Sequence, residues 1–428
     1  MSQTAAPQAA PPPAAPAPAA APATTSATAP ADQGHVDTPA LLNRWQLIGM
    51  TVAIVFGIVS ALVQFLGWQA DGRAAADTEQ LVRVQKIRSS LLSADALATN
   101  AFLVGGLEDP QQRREYDARI SEVLEGITAA ADAQPADQAA LIAVNQQVEL
   151  YATYIANARS NNRQGYPVGA AYQSLASDQL RNSTLPVLEA LVDANNDRAR
   201  DAMNGQHPFW LLGLGVVALL GLWWLNRELA NAFRRRINRG IAFAGAIIAV
   251  VTVITTAGAF IRDSSNDSLR EDQFADAVAS AQALTAANDA KANESLRLIK
   301  RGSGAANEEK WGEAAAVVTD NAPSRFLADW ERYADQHRTI VERDESNKWD
   351  DAVKLATAGP AEDEDKTAFV AFNDNLSAHV ADVSKEAVDE LGSWRWLALV
   401  VGALTLLLGA AAAVSVERGI GVRRREFA

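Results

Sequence analysis

Four apolar blocks free of charge constrain this chain more than any other feature. They read LIGMTVAIVFGIVSALVQFLGW (Leu47–Trp68), FWLLGLGVVALLGLWWL (Phe209–Leu225), IAFAGAIIAVVTVITTAGAFI (Ile241–Ile261) and WLALVVGALTLLLGAAAAVSV (Trp396–Val416), and none contains Asp, Glu, Lys, Arg or His. Each holds roughly 17–22 residues, the length a helix needs to cross about 30 Å of hydrocarbon. Tryptophans bracket them: Trp45 and Trp68, then Trp210, Trp223 and Trp224, then Trp394 and Trp396, as amphipathic rings do at headgroup depth. The first block starts too late and runs too long for a cleaved signal peptide, so it is expected to stay as a span.

Orientation follows from arginine. The stretch NRELANAFRRRINRG (Asn226–Gly240) carries Arg227, Arg234, Arg235, Arg236 and Arg239, and the segment after the fourth block carries Arg418, Arg423, Arg424 and Arg425. Short basic loops stay in the cytoplasm. Both termini and the linker 226–240 are therefore expected inside a cell membrane, with residues 69–208 and 262–394 outside. A net charge of −13 argues against nucleic acid, because an acidic chain repels phosphate. With no cysteine there is neither a disulfide nor a thiolate metal site.

The order span, long polar segment, span occurs twice. Aligning the first and third spans gives an offset of 194 residues, at which Asp95–Ala98 (DALA) falls on Asp289–Ala292 (DAKA). Duplication of one plan is the economical explanation. The outer segments are rich in Ala, Leu, Glu, Gln and Arg without strand-like alternation, which predicts helix. Val84, Ile87, Leu91, Ala94, Ala98 and Ala101 form one apolar seam; Leu141, Val144, Val148, Tyr151, Ile155 and Ala158 form another. Phe326, Trp330, Tyr333, His337 and Ile340 form a heavier seam in the second copy. Breaks are expected at GGLEDP (Gly105–Pro110), Gln134–Pro135 and Asn161–Pro167, then near Arg301–Gly304, Asn321–Pro323 and Gly359–Asp365. The expected fold is all-α: four transmembrane helices continuous with two tandem extracytoplasmic antiparallel four-helix bundles. Two such bundles could dimerise between chains or form a pseudo-dimer within one.

On helix order, the seams and DALATNAF (Asp95–Phe102), the outer segments resemble the ligand-sensing four-helix bundle of chemotaxis receptors and sensor kinases. Those receptors continue into long signalling helices, whereas only Glu417–Ala428 follows the fourth block here. The tail APQAAPPPAAPAPAAAPATTSATAP and the linker NAFRRRINRG are similar to the GlnX-type membrane proteins of actinobacteria. That resemblance implies an extracellular solute-binding lipoprotein partner (GlnH-like) that recognises aspartate and glutamate. It also implies a cytosolic Ser/Thr kinase partner (PknG-like).

No GxxxxGK[ST], HExxH, GxSxG or kinase motif set is present, so no enzyme and no cofactor are expected. His35, His207, His337 and His379 are scattered, and His337 on its seam reads as a bundle residue rather than a metal ligand. Spans this apolar also argue against an ion-coupled carrier. A non-signalling scaffold or transport component is the competing class. Three groups of residues remain as functional candidates. At the distal tips, Glu108, Asp109, Arg113, Arg114, Arg301, Glu308 and Glu309, with the acidic run Glu362–Asp365, offer a docking surface for a protein or merely a solvated face. Asp95, Thr99 and Asn100 lie together on one side of a helix, where a small ligand could bind directly. On the cytoplasmic side, Arg234, Arg235, Arg236, Arg239, Arg423, Arg424 and Arg425 are placed for output. In the tail, Thr24, Thr25, Ser26 and Thr28 are candidate kinase substrates within a polyproline-like linker.

Overall fold

The computed structural model describes residues 38–104, 108–233, 237–359, 366–393 and 395–426. The tail with Thr24, Thr25, Ser26 and Thr28, the arginines Arg234, Arg235 and Arg236, the run Glu362–Asp365 and Trp394 lie outside the described residues. So do the side chains of Arg423, Arg424 and Arg425.

Every described element is helical. Helix α1 runs from Thr38 to Val104, 67 residues without a break, or about 100 Å at 1.5 Å per residue. Its sequence explains the length: no proline falls between Pro39 and Pro110, and beyond the apolar block Gly72 is the one glycine. Next come α2 (Pro110–Ala133), α3 (Gln138–Arg163), α4 (Val168–Gln179), a π-helical turn at Leu180–Thr184, α5 (Leu185–Met203) and α6 (Pro208–Phe233). The second half holds α7 (Arg239–Glu271), α8 (Gln273–Ile299), α9 (Ala305–Asn321), α10 (Leu327–Glu345), α11 (Trp349–Ala356), α12 (Ala368–Gly392) and α13 (Arg395–Glu426). Four helical stretches, containing α1, α6, α7 and α13, are long and apolar enough to cross a membrane, which fits a multi-pass membrane protein.

The apolar seams become cores. Val84, Ile87 and Leu91 of α1 meet Tyr116, Val123 and Ile127 of α2, the α3 seam, and Leu188 and Val192 of α5. All six α3 seam residues are buried. Each buried Val, Leu or Ile contributes roughly 1.5–3 kcal/mol as an upper estimate. In the second half, α8 presents the small residues Ala283, Ala287 and Ala290, and the rings of Trp330, Tyr333 and Phe372 fill the space against them. Large against small is how a close-packed interior closes.

The two units lie side by side, with α1 packed along α8 and α12. At the tip they share a core, in which Leu103 of α1 joins Leu298, Ile340, Ala352 and Ala356. The spans meet through glycine. A Cβ on Gly409 would stand 2.7 Å from the Gly57 Cα, and one on Gly240 would stand 2.5 Å from the Gly419 Cα. Between helices in lipid, packing replaces the hydrophobic effect, so small residues mark the crossings.

Two features differ from the expectation. Only α1 runs without interruption through its whole unit among the described residues: α5 and α6 part at Asn204–His207, α7 continues past its span to Glu271 before it parts from α8 at Asp272, and α12 and α13 part after Gly392. Gly205 and Pro208 account for the first break, and the extended backbone of Ser393 for the third. The second unit also has a fifth helix, α11. Asn347, at φ 58, ends α10 in the left-handed region that asparagine tolerates, and the chain restarts at Trp349.

Candidate functional site

The fourth helix of the first unit changes pitch before Pro186. Proline supplies no backbone N–H, and a π-helical turn over Leu180–Thr184 stands immediately ahead of it. Such bulges are frequent at functional positions. Arg181 sits on this turn and crosses the seam between the units. Its Nη1 donates to Asp95 Oδ2 at 2.8 Å, while Nη2 and Nε donate to Asp289 Oδ1 at 2.7 and 3.0 Å. Fully buried Asp95 also accepts from the Ser177 hydroxyl at 2.8 Å and the Tyr151 hydroxyl at 3.3 Å. Burial disfavours the Arg181 charge, but the Asp289 and Asp95 carboxylates outweigh it and raise its pKa, so it stays ionised. Burial, then the Asp95 charge, pushes the Tyr151 hydroxyl well above its ordinary value. Asp95 and Asp289 are the pair that the 194-residue offset superimposes. One arginine therefore clamps the two units at that pair of positions.

Of the three ligand candidates, Thr99 turns its hydroxyl back to the Asp95 carbonyl at 2.8 Å and is buried. Asn100 donates to the Ala356 carbonyl of α11 at 3.2 Å and so joins the two units. Asp95, as above, is occupied by protein donors. The sequence reading missed Arg181. The signal that could have found it was a proline in mid-helix.

Two clefts flank the seam. The smaller, 240 Å³, lies among α1, α2, α8 and α12; the larger, 610 Å³, lies among α1, α5, α8 and α9 and is floored by Arg181 and Asp289. In the smaller cleft Glu122 accepts from Lys86 at 2.8 Å, Arg119 at 3.1 Å and the Ser90 hydroxyl at 3.0 Å. Burial raises the Glu122 pKa, but these donors lower it by more, so it is a carboxylate. Buried Gln85 lines the same cleft, and its Nε2 has no hydrogen-bond partner among the described residues. Both signs of charge and an unmet amide donor suit a small zwitterion.

The tip residues divide between scaffold and surface. Glu108 accepts from Arg159 at 2.9 Å, Asp109 caps α2 through the Gln111 N–H, and Arg113 pairs with Asp117 at 3.0 Å. Arg301 stacks over the Trp349 ring at 3.8 Å. Arg114 and Glu309 are exposed. Glu308 faces inward to His337, whose Nε2 is 3.3 Å away. On its other side the His337 Nδ1 lies 2.9 Å from the fully buried Glu294, which also accepts from Lys291 at 2.6 Å, and Trp311 stacks on the imidazole at 3.8 Å. Burial lowers the His337 pKa, but hydrogen bonds to Glu294 and Glu308 and their charges raise it overall.

Where the units meet the spans, buried Asp71 of α1 gathers the broken helices. It accepts from Arg262 of α7 at 3.1 Å, from Gln206 in the α5–α6 break at 3.0 Å, and from Asn266 at 3.2 Å. Arg262 also donates to the Ser393 carbonyl at 2.9 Å. On the far side of the spans, Asn238 caps α7 through the Gly240 N–H and donates to the Gly419 carbonyl of α13 at 2.9 Å. Arg239, beside that cap, is exposed.

The first unit therefore has defined limits, from the junction at Asp71 to the break after Met203. Residues 70–204 match the model of the actinobacterial sensor domain. The matched stretch coincides with this unit and contains Asp71, Asp95 and Arg181. No curated protein and no solved structure matches the chain.

Proposed function

We propose that the chain is a transmembrane signal transducer that relays extracellular aspartate or glutamate availability from a solute-binding lipoprotein to a cytosolic Ser/Thr kinase. Both helical units stand outside as tandem bundles on this reading, and the basic linker and C-terminal segment face the cytoplasm. The observation that carries the proposal is α1. It begins before the first span, lines both cores' shared seam and ends in the tip core with Leu103. A load placed on the tip is delivered along one helix to the inner face of the membrane. The partner biases two arrangements of the bundle, as any effector must, by binding one of them better. Exposed Arg114 and Glu309 are the tip charges placed to meet it, and Arg239 with Arg234–Arg236 and Arg423–Arg425 are placed to hand the signal on.

The test uses the full chain in nanodiscs. The chain has no cysteine, so paired spin labels at Trp45→Cys and Val422→Cys report the inner ends of α1 and α13 alone. The lipoprotein loaded with aspartate should shift the distance distribution, and replacing the linker arginines should abolish kinase co-purification. Unchanged distances together with kinase retention by the linker variant would sink the relay.

A second reading, direct sensing of a small ligand, is favoured by the 240 Å³ cleft with Lys86, Arg119, Glu122 and the unpartnered Gln85 amide. Titration calorimetry with aspartate and no lipoprotein separates the two, because only direct sensing gives heat.

A further inference from the structure

The four spans do not pack equally along their length. Away from the helical units, α7 and α13 touch at Gly240 and Gly419 and share a core with α1 and α6. Toward the units they part. A Cβ built on Gly258 of α7 meets nothing within 4 Å, and a cavity of 480 Å³ opens there among α1, α6, α7 and α13. That volume is about three times the roughly 150 Å³ of an apolar cavity known to hold a benzene ring.

The lining is graded along the membrane normal. Deep in the cavity stand Val63, Leu211, Ile254 and Val401; at its top stand Arg262, Gln206, His207 and Ser265, with the carboxylates of Asp71, paired with Arg262, and Glu390, which accepts from Ser265. From Ile254 to Arg262 the helix rises about 12 Å at 1.5 Å per residue. The polar groups at depth are already satisfied: Thr255 donates to the Val251 carbonyl at 2.9 Å, and Gln64 donates to the Ser60 carbonyl and the Thr405 hydroxyl at 3.1 and 3.2 Å. Water needs two or more polar partners to reside in a cavity, and the donors at this depth are already spent within the protein. Ile254 and Ile261 line the cavity and are 57% and 72% exposed, so it opens sideways to the hydrocarbon. At the rim Arg262 spends Nε on Asp71 and Nη2 on the Leu391 and Ser393 carbonyls. No acceptor among the described residues takes its Nη1.

We infer that this cavity is a phospholipid site, which takes one acyl chain between the spans and the phosphate at the Arg262 Nη1 and His207. The occupant comes from the leaflet on the side of the helical units. An apolar space that opens into a bilayer fills with the chains that surround it, and the charge-assisted bond to phosphate holds that one lipid against exchange. The Asp71–Arg262 pair above it is the node that ties α1 to the other three junctions, so the lipid sits directly beneath the coupling point.

The full chain, purified in mild detergent, is examined by native mass spectrometry. One phospholipid per chain is expected to survive detergent washes that strip the rest. Gly258→Trp, which fills the cavity, should lower its retention at least tenfold, and Ala398→Phe from the opposite wall should do the same if the first variant folds poorly. Val253→Trp, on the lipid-facing side of α7 outside the cavity, should retain it. Loss of all lipid from the wild-type chain, or equal retention by the filled and control variants, would overturn the assignment.

Discussion

Asp289 of α8 accepts the Arg181 guanidinium at 2.7 Å from the opposite unit, while the same side chain holds Asp95 of α1 at 2.8 Å. One cation thus bridges two carboxylates, one from each unit. The two units are thereby locked in register along α1 and α8.

Removing that cation leaves fully buried Asp95 without its charge partner. Arg181→Met is expected to destabilise the chain by about 3–5 kcal/mol, as loss of one partner of a buried pair does. Arg181→Lys should lose less, because a single ammonium reaches one carboxylate but not two as a fork does. Chemical unfolding in detergent, followed by circular dichroism, ranks the three proteins. Equal stability of wild type and Arg181→Met would show that the clamp holds nothing.

The buried His337 gives a pH dependence of known sign. Its folded pKa is raised above the unfolded value, so its stabilising contribution is full below about pH 6.5 and fades as pH rises through the folded value. His337→Gln should be less stable than wild type at pH 5.5 and approach it above that window. Glu294 acts at the other end: burial raises its pKa, but Lys291 and His337 bring it down to about 2. Its contribution is therefore present above its ordinary value near 4.5 and is lost as pH falls toward 2. Unfolding midpoints across pH would expose both slopes, and parallel curves for wild type and His337→Gln would refute the first.

Span crossings should be sensitive at particular glycines only. Gly409→Val places a side chain against the Gly57 backbone, where a Cβ already stands at 2.7 Å, and overpacking of this kind costs about 1–3 kcal/mol. Gly213→Val, where a Cβ meets nothing within 4 Å, should change stability by less than about 0.5 kcal/mol. Thermal aggregation in detergent compares them; equal shifts would contradict the crossing.

Asp71→Ala removes the carboxylate that Gln206, Asn266 and Arg262 share, and leaves only the 3.4 Å bond from Gln206 to the Gly67 carbonyl between these residues and α1. On the proposed relay, the lipoprotein still binds the tip, but the Trp45→Cys and Val422→Cys distance no longer responds. A response of wild-type size in that variant would remove the junction from the mechanism.

The sequence made some of this legible and concealed the rest. The spans and the seams could be read because their signals are local: a run of apolar residues must leave water, and residues three and four apart must share a helical face. His337 was correctly placed on its seam, while its contacts with Glu294 and Glu308, respectively 43 and 29 residues distant, had no local trace. Asp95 stood out because Thr99 and Asn100 share its side of the helix. Its meaning did not, because Arg181 lies 86 residues further on.

By itself, then, the chain's covalent order determined four membrane-length helices and the faces that turn inward, since hydrophobic burial and helical period act between near neighbours. Tertiary structure alone decided that the two copies lie side by side, that Arg181 rather than Asp95 bridges them, and that α1 stays whole while the other junctions break and regroup on Asp71. Those outcomes depend on which carboxylates and donors meet across helices once water is excluded. Spacing along the chain carries no record of such meetings.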